Sequence, residues 1–250
     1  WELLDETPSD NYIHEGVVNG YLGSSLALSQ DGRLLFIAIP YANGLNMTAS
    51  SGSSSRSGGG GAILAYERYD GNHTYFGSKP FILEDESFLS DFSNWGRSLS
   101  VSASGHVMAY GARSKEQEDY VLVYKNEIGG SLTMMGTAIP GCCGILSSNG
   151  QMLVISVGGY YPMSQVYYWE QTDSRQGNWT EIGYPISGSP LAISYDGLTL
   201  AVEATNSTIN TYFWQGTKWL PQGDISGTFG VFSGGKNGAD TVMAVGLPGN

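Results

Sequence analysis

Short apolar runs, each broken by a small polar turn, recur along the 250-residue chain and set its organisation. One unit is a small, apolar strand ending in Ser, a turn ending in Gly, and then a strongly apolar strand. It reads Leu26-Ala27-Leu28-Ser29-Gln30-Asp31-Gly32 followed by Leu34-Leu35-Phe36-Ile37-Ala38-Ile39. It returns as Leu99-Ser100-Val101-Ser102-Ala103-Ser104-Gly105 before Val107 to Gly111, as Ile145 to Gly150 before Met152 to Ser156, and as Leu191 to Gly197 before Leu200 to Val202. A looser copy runs from Gly230 through Ser233 to Gly238 and on to Val242–Gly246. Gly in these turns supplies the positive φ that a tight hairpin demands.

Two further strands complete each unit. The third is apolar and ends in an aromatic: Ile63 to Tyr66, Val121 to Tyr124, Val166 to Trp169, Thr211 to Trp214. The fourth often opens on Trp and leaves through an Ile-x-Gly step, as in Trp179 to Gly188, Trp219 to Gly227 and, without the Trp, Leu132 to Gly141. The anchoring serines stand at 29, 102, 147, 194 and 233. Apart from a Ser/Gly-rich insertion at 49–61, the period is roughly 40 to 60 residues, the range of propeller blades. Four strands per unit, the innermost built of small apolar residues, is the arrangement of a blade whose inner edge crowds against an axis. The expectation is an all-β chain, a β-propeller of about five four-stranded blades or part of a larger one. The repeats lie near 22–82, 96–139, 142–186, 189–226 and 228–250 of a single domain, with an extra strand at 1–4. A β-sandwich is the competing architecture, but it does not require this period.

Composition fits that reading and narrows the partners. Charged residues make up 14% of the chain and 36 residues are Gly, the signature of short strands and tight turns rather than of helices or disorder. The net charge is −12 and only 11 residues are Lys or Arg, scattered singly. Phosphate-binding surfaces need clustered bases, so nucleic acid is not an expected partner. No apolar run approaches the length of a membrane span.

The units resemble FG-GAP-type repeats of integrin-α-like propellers. The residues that carry the likeness are Gly23 to Gly32 with its Leu-Ala-Leu-Ser-Gln-Asp-Gly core, the following Ala38-Ile39-Pro40, and Gly61-Ala62-Ile63-Leu64-Ala65-Tyr66. The resemblance implies an adhesive or ligand-binding surface protein. The family's Ca²⁺ loop is reduced here to Asp31 or Asp196 alone, so Ca²⁺ within the blades is not expected, and no other cofactor is. Ca²⁺ on the acidic face described next is a weaker alternative.

The chemistry-bearing residues are few. His14, His73 and His106 show no zinc spacing, and no local signature joins a Ser nucleophile to a His base. Cys142 and Cys143 are the only cysteines and are expected to form a vicinal disulfide. Sequons at Asn46, Asn72, Asn178 and Asn206 fall at expected strand connections, which points to N-glycosylation outside the cell or at its surface. In a propeller the second-to-third-strand loops and the connections between blades share one face. That face collects Asp5, Glu6, Asp10, Glu15, Glu84, Asp85, Glu86, Asp91, Glu116, Glu118 and Asp119, eleven of 23 acids, against Arg56, Arg113 and Lys115. It is expected to attract a basic protein or a glycan. Trp1 to Leu4 reads as a fourth strand, expected to close the last blade within the chain or, failing that, to leave an edge for head-to-tail assembly. The abrupt start at Trp1 suggests processing or a piece of a longer protein. The reading is of a non-enzymatic structural, adhesive or binding module. The alternatives are a propeller-fold glycan-processing enzyme and a Ca²⁺-dependent adhesion receptor domain.

Overall fold

The structure, a computed structural model, describes residues 24–39, 62–67, 81–82, 92–93, 98–114, 116–126, 132–159, 161–172, 177–204, 207–227, 229–233 and 242–246. Residues 1–4 and the insertion at 49–61 lie outside them. Among the described residues every regular element is a strand, and the strands form consecutive antiparallel sheets.

Blade 1 contains β1 (Leu26–Leu28), β2 (Leu34–Ile39), β3 (Ala62–Glu67) and β4 (Phe81–Ile82), paired in chain order. Blade 3 is β11 (Cys142–Leu146), β12 (Met152–Val157), β13 (Met163–Gln171) and β14 (Gly177–Ser187); blade 4 is β15 (Ser189–Ile193), β16 (Thr199–Glu203), β17 (Thr208–Trp214) and β18 (Trp219–Ser226). Blade 2 departs from this regularity. Its inner edge comes in two pieces, β5 (Phe92–Ser93) and β6 (Leu99–Val101), both paired with β7 (Val107–Ser114). Its outer edge is split into β9 (Leu132–Met134) and β10 (Ile139–Pro140), both paired with β8 (Asp119–Asn126). The outer break falls at Gly136, whose φ of 76° takes the chain out of the ladder. A fifth sheet pairs β19 (Phe229–Ser233) with β20 (Val242–Gly246). Among the described residues this β-propeller shows four blades and a two-stranded fifth sheet.

The recurring Ser is the hub of the first hairpin. Ser147 is fully buried; its hydroxyl accepts from the Met152 amide at 2.9 Å and donates to Asn149 Oδ1 at 2.7 Å. Ser29 and Ser194 do the same with Asp31 and Asp196, and Ser102 sits 3.2 Å from the Ser104 hydroxyl. The turn Gly that follows packs onto the previous blade. A Cβ at Gly105 would lie 2.6 Å from the Leu34 side chain, and one at Gly197 would lie 2.2 Å from Met152. Backbone bonds then pass from turn to turn: Gln30 N to Ala103 O at 2.9 Å, Ala103 N to Ser148 O at 2.7 Å, and Asn149 N to Tyr195 O at 3.1 Å. The motif is therefore both a hairpin device and a clasp between neighbours.

The core lies between blades. Phe36 and Ile63 of blade 1 pack with Met108, Tyr110, Leu122 and Tyr124 of blade 2. Val121 and Val123 meet Leu153, Ile155 and Trp179 of blade 3; Val154 and Val166 in turn meet Leu200 and Val202 of blade 4. Each second strand is thus apolar on both faces, which is why these segments read as unbroken apolar runs.

Candidate functional site

The first-to-second-strand turns lie on one face of the propeller; the second-to-third-strand loops and the blade-to-blade connections lie on the other. On this loop face the chain crosses from the outer strand of one blade to the inner strand of the next at Gly141 and Gly188. Their φ values are 133° and 118°. A Cβ at Gly141 would stand 2.7 Å from Ser156 O, and one at Gly188 would stand 2.4 Å from Glu203 O. Only glycine lets the crossing backbone lie directly on the end of the next blade's second strand.

The crossing into blade 3 sits beside the tip of the β7–β8 hairpin, because Gly141 N donates to Asp119 O at 2.9 Å. That tip is tightly organised. Asp119 receives Arg113 Nε at 2.8 Å and Nη2 at 3.2 Å, a two-pronged ion pair across the register Arg113↔Asp119. Ser114 N donates to Glu118 O at 2.7 Å, and Glu118 N donates back to Ser114 Oγ at 3.2 Å. Gln117 takes φ 68° to make the turn. Glu116 and Glu118 are exposed, and the Tyr120 hydroxyl donates to Glu118 Oε2 at 2.9 Å. That hydrogen bond, with lesser help from desolvation and the Glu118 and Glu116 charges, holds the Tyr120 phenol above its ordinary range. The result is a carboxylate fixed by its own turn and by a phenol that keeps its proton.

Of the eleven acids expected on this face, Glu116, Glu118 and Asp119 are brought together here. Asp5, Glu6, Asp10, Glu15, Glu84, Asp85, Glu86 and Asp91 lie outside the described residues, as do Arg56 and Lys115. Tyr120 was missed by the sequence reading. The signal was available: Glu118 and Tyr120 are two apart at the mouth of a strand, which puts both side chains on one side. Among the described residues no group of three or more His, Cys, Asp or Glu could hold a metal ion. Asp31 is held by Ser29 Oγ and the Arg33 amide, and these bonds lower its pKa.

Two expectations are corrected. Cys142 and Cys143 are not joined by a disulfide. A bulge follows Cys142, which lies opposite Ser156 while Ile145 lies opposite Val154, and Cys143 within it takes φ 58°. Cys142 stays on the ladder while the extra residue turns Cys143 outward, where it is exposed. Asn178 does not lie in a turn. It is an exposed residue of β14 opposite Glu170. Asn46, Asn72 and Asn206 are outside the described residues.

A second ionisable pair belongs to the scaffold. Tyr167 is buried and its hydroxyl donates to Glu181 at 3.3 Å; burial first, then the Glu181 charge, pushes it up to about 12.

No protein-family model matches the chain, and no curated protein does. Solved structures do. A protein assigned as a 6-phosphogluconolactonase from Bacteroides uniformis aligns with a TM-score of 0.50 at 15% identity, over 81% of this chain and 54% of that one. The periplasmic gluconolactonase of Pseudomonas aeruginosa aligns with a TM-score of 0.53 at 15% identity, over 86% of this chain and 63% of that one. The chain thus spans a little over half to under two thirds of these structures. At such identity the likeness establishes the fold, a β-propeller. It also corrects the expectation of a non-enzymatic module, since both similar structures carry lactonase names. That expectation rested on the lack of a local catalytic motif. A propeller assembles its face from loops of separate blades, so a site there leaves no local spacing to find.

Proposed function

We propose that this chain is the propeller of a sugar-processing enzyme that opens lactones, or related sugar esters, on its loop face. The observation that carries the reading is that two separate solved structures sharing this fold over more than four fifths of the chain are both named as sugar lactonases. The β7–β8 tip supplies fitting chemistry. Glu118 is a surface carboxylate whose backbone is pinned to Ser114 and whose side chain is oriented by the Tyr120 hydroxyl. In lactone hydrolysis Glu118 takes a proton from water as the water oxygen bonds to the lactone carbonyl carbon. The bond from that carbon to the ring oxygen then breaks, and the proton passes to the ring oxygen, leaving a hydroxy acid. Tyr120 keeps the carboxylate aimed, and the Arg113–Asp119 pair holds the hairpin tip beside Gly141.

Charge selects among substrates. With a net charge of −12 the protein repels anions, so a neutral lactone is favoured over a phosphorylated one. The test is ring opening of glucono-δ-lactone and of its 6-phosphate by the purified chain, followed by acid release, with aryl glycosides alongside. The reading expects turnover of the neutral lactone well above its spontaneous hydrolysis and less with the 6-phosphate. Cleavage of aryl glycosides with no lactone opening would replace it with glycosidic chemistry, and no turnover of any of these would refute it.

A further inference from the structure

Among the described residues only three that are not glycine take a positive φ: Gln117 at 68°, Cys143 at 58° and Ser207 at 57°. Every other positive-φ position there is a glycine, including the hairpin turns at Gly32, Gly105, Gly150 and Gly197 and the crossings at Gly141, Gly188 and Gly227. The chain thus uses glycine where the backbone alone needs this conformation. For any other residue the left-handed region brings Cβ against the following carbonyl oxygen, so a side chain kept there destabilises the fold.

All three exceptions stand on the loop face, one in each of three successive blades. Gln117 is at the tip of the β7–β8 hairpin beside Glu118, Cys143 lies two residues past the crossing at Gly141, and Ser207 leads into β17. All three are exposed, so packing in the core does not select them. Gln117 N donates to Ser114 O at 3.0 Å and Ser207 O accepts from Gly227 N at 2.8 Å, so both turns are held through backbone atoms that glycine would supply equally well. Between these blades Tyr161, in the β12–β13 loop, is 79% exposed. Its loop is tied to the crossing into blade 4 by Gly188 N, which donates to Pro162 O at 3.0 Å. An amide, a hydroxyl and an open aromatic ring suit an uncharged sugar, with hydrogen-bonding groups for its hydroxyls and a flat apolar face for its ring carbons. Blades 2 and 4 are two sheet spacings apart, roughly 20 Å. One sugar ring cannot reach from Gln117 to Ser207, but a short oligosaccharide can.

We propose that the substrate is an oligosaccharide lactone or ester, longer than one ring, that runs across the loop face from Glu118 on blade 2 over Cys143 and Tyr161 to Ser207 on blade 4. The proposal rests on the lactonase reading for its chemistry at Glu118, and on the three left-handed residues for its length. The experiment compares kcat and KM for glucono-δ-lactone with those for the lactones of maltotrionic and cellotrionic acid. It uses the unaltered chain, Ser207→Gly and, as a control, Tyr184→Ala, which removes an 89% exposed aromatic from the outer strand β14. For one of the three-ring lactones kcat/KM is expected to exceed that of glucono-δ-lactone about tenfold or more, the worth of one or two added hydrogen bonds. Ser207→Gly should reduce that preference about threefold or more, through KM, and raise the thermal midpoint by about 1–3 °C as the strain is relieved. Tyr184→Ala should not move the preference. Equal kcat/KM for one ring and three, an unchanged preference in Ser207→Gly, or a lower midpoint in that variant would overturn the proposal and leave the lactonase reading in place. If none of the lactones is opened, that reading falls and calorimetric titration with maltotriose and cellotriose decides the length. Binding of either that is tighter than that of glucose and weakened by Ser207→Gly supports the long ligand; no binding, or binding indifferent to Ser207, refutes it.

Discussion

At the scale of single residues, the chain is organised by small polar groups in apolar surroundings. A hydroxyl at the end of the first strand has no obvious place in an apolar run, and the sequence marks it only by recurrence. The structure gives the reason: the Ser147 hydroxyl satisfies the Met152 amide and the Asn149 side chain at once, out of reach of water. Ser147→Ala leaves the Met152 side of that bond pair without its hydroxyl partner, and is expected to cost about 1–3 kcal/mol in urea unfolding. Ser104→Ala, at the exposed partner position of the blade 2 turn, is expected to cost well under that. Equal losses would mean that the buried hydroxyl is not the hub. The same scale shows where residue reading failed. Cys142 and Cys143 are adjacent and isolated from other thiols, which suggests a bond. A one-residue bulge separates their directions, and bulges depend on the partner strand, which no local pattern reveals.

At the scale of elements, most strands were legible. The third strands carry the aromatics as read, but only β17 ends on one, while β3, β8 and β13 run on to Glu67, Asn126 and Gln171; Trp169 and Trp214 close on Trp179 and Trp219. What was not legible is the breaking of blade 2, where β5 adds a short second piece to the inner edge and Gly136 divides the outer one. A two-residue bridge such as Phe92–Ser93 carries no periodicity, so only its pairing with Arg113 and Ser114 defines it. The Ile-x-Gly steps were read as exits; their reason, close approach of backbone to backbone, is a tertiary fact. Gly188→Ala is expected to destabilise by about 2 kcal/mol or more, because the new methyl meets the Glu203 carbonyl and the φ of 118° is strained for any side chain. Gly159→Ala, with no described atom within 4 Å, is expected to stay within about 0.5 kcal/mol. Chemical denaturation of the two variants checks the contrast, and an equal loss would show that the crossing is looser than drawn.

At the scale of the whole molecule, the repeat places its apolar contacts between blades, and the Glu116–Asp119 tip stands on the loop face. That division explains why the fold could be read and the site only in part. Strand patterns report on the interblade core, since every second strand is apolar on both sides. The loop-face chemistry draws on turns distant in sequence; Glu118 and Asp119 were marked by charge, while Tyr120 needed the strand direction of β8 to join them. The claim of greatest consequence is that this face carries out lactone hydrolysis with Glu118 as the base. The most direct measurement compares kcat/KM for glucono-δ-lactone of Glu118→Gln with that of the unaltered chain, both shown to have the same thermal midpoint. The account predicts a fall of about a hundredfold or more. A variant that opens the lactone as fast as the unaltered protein would contradict it.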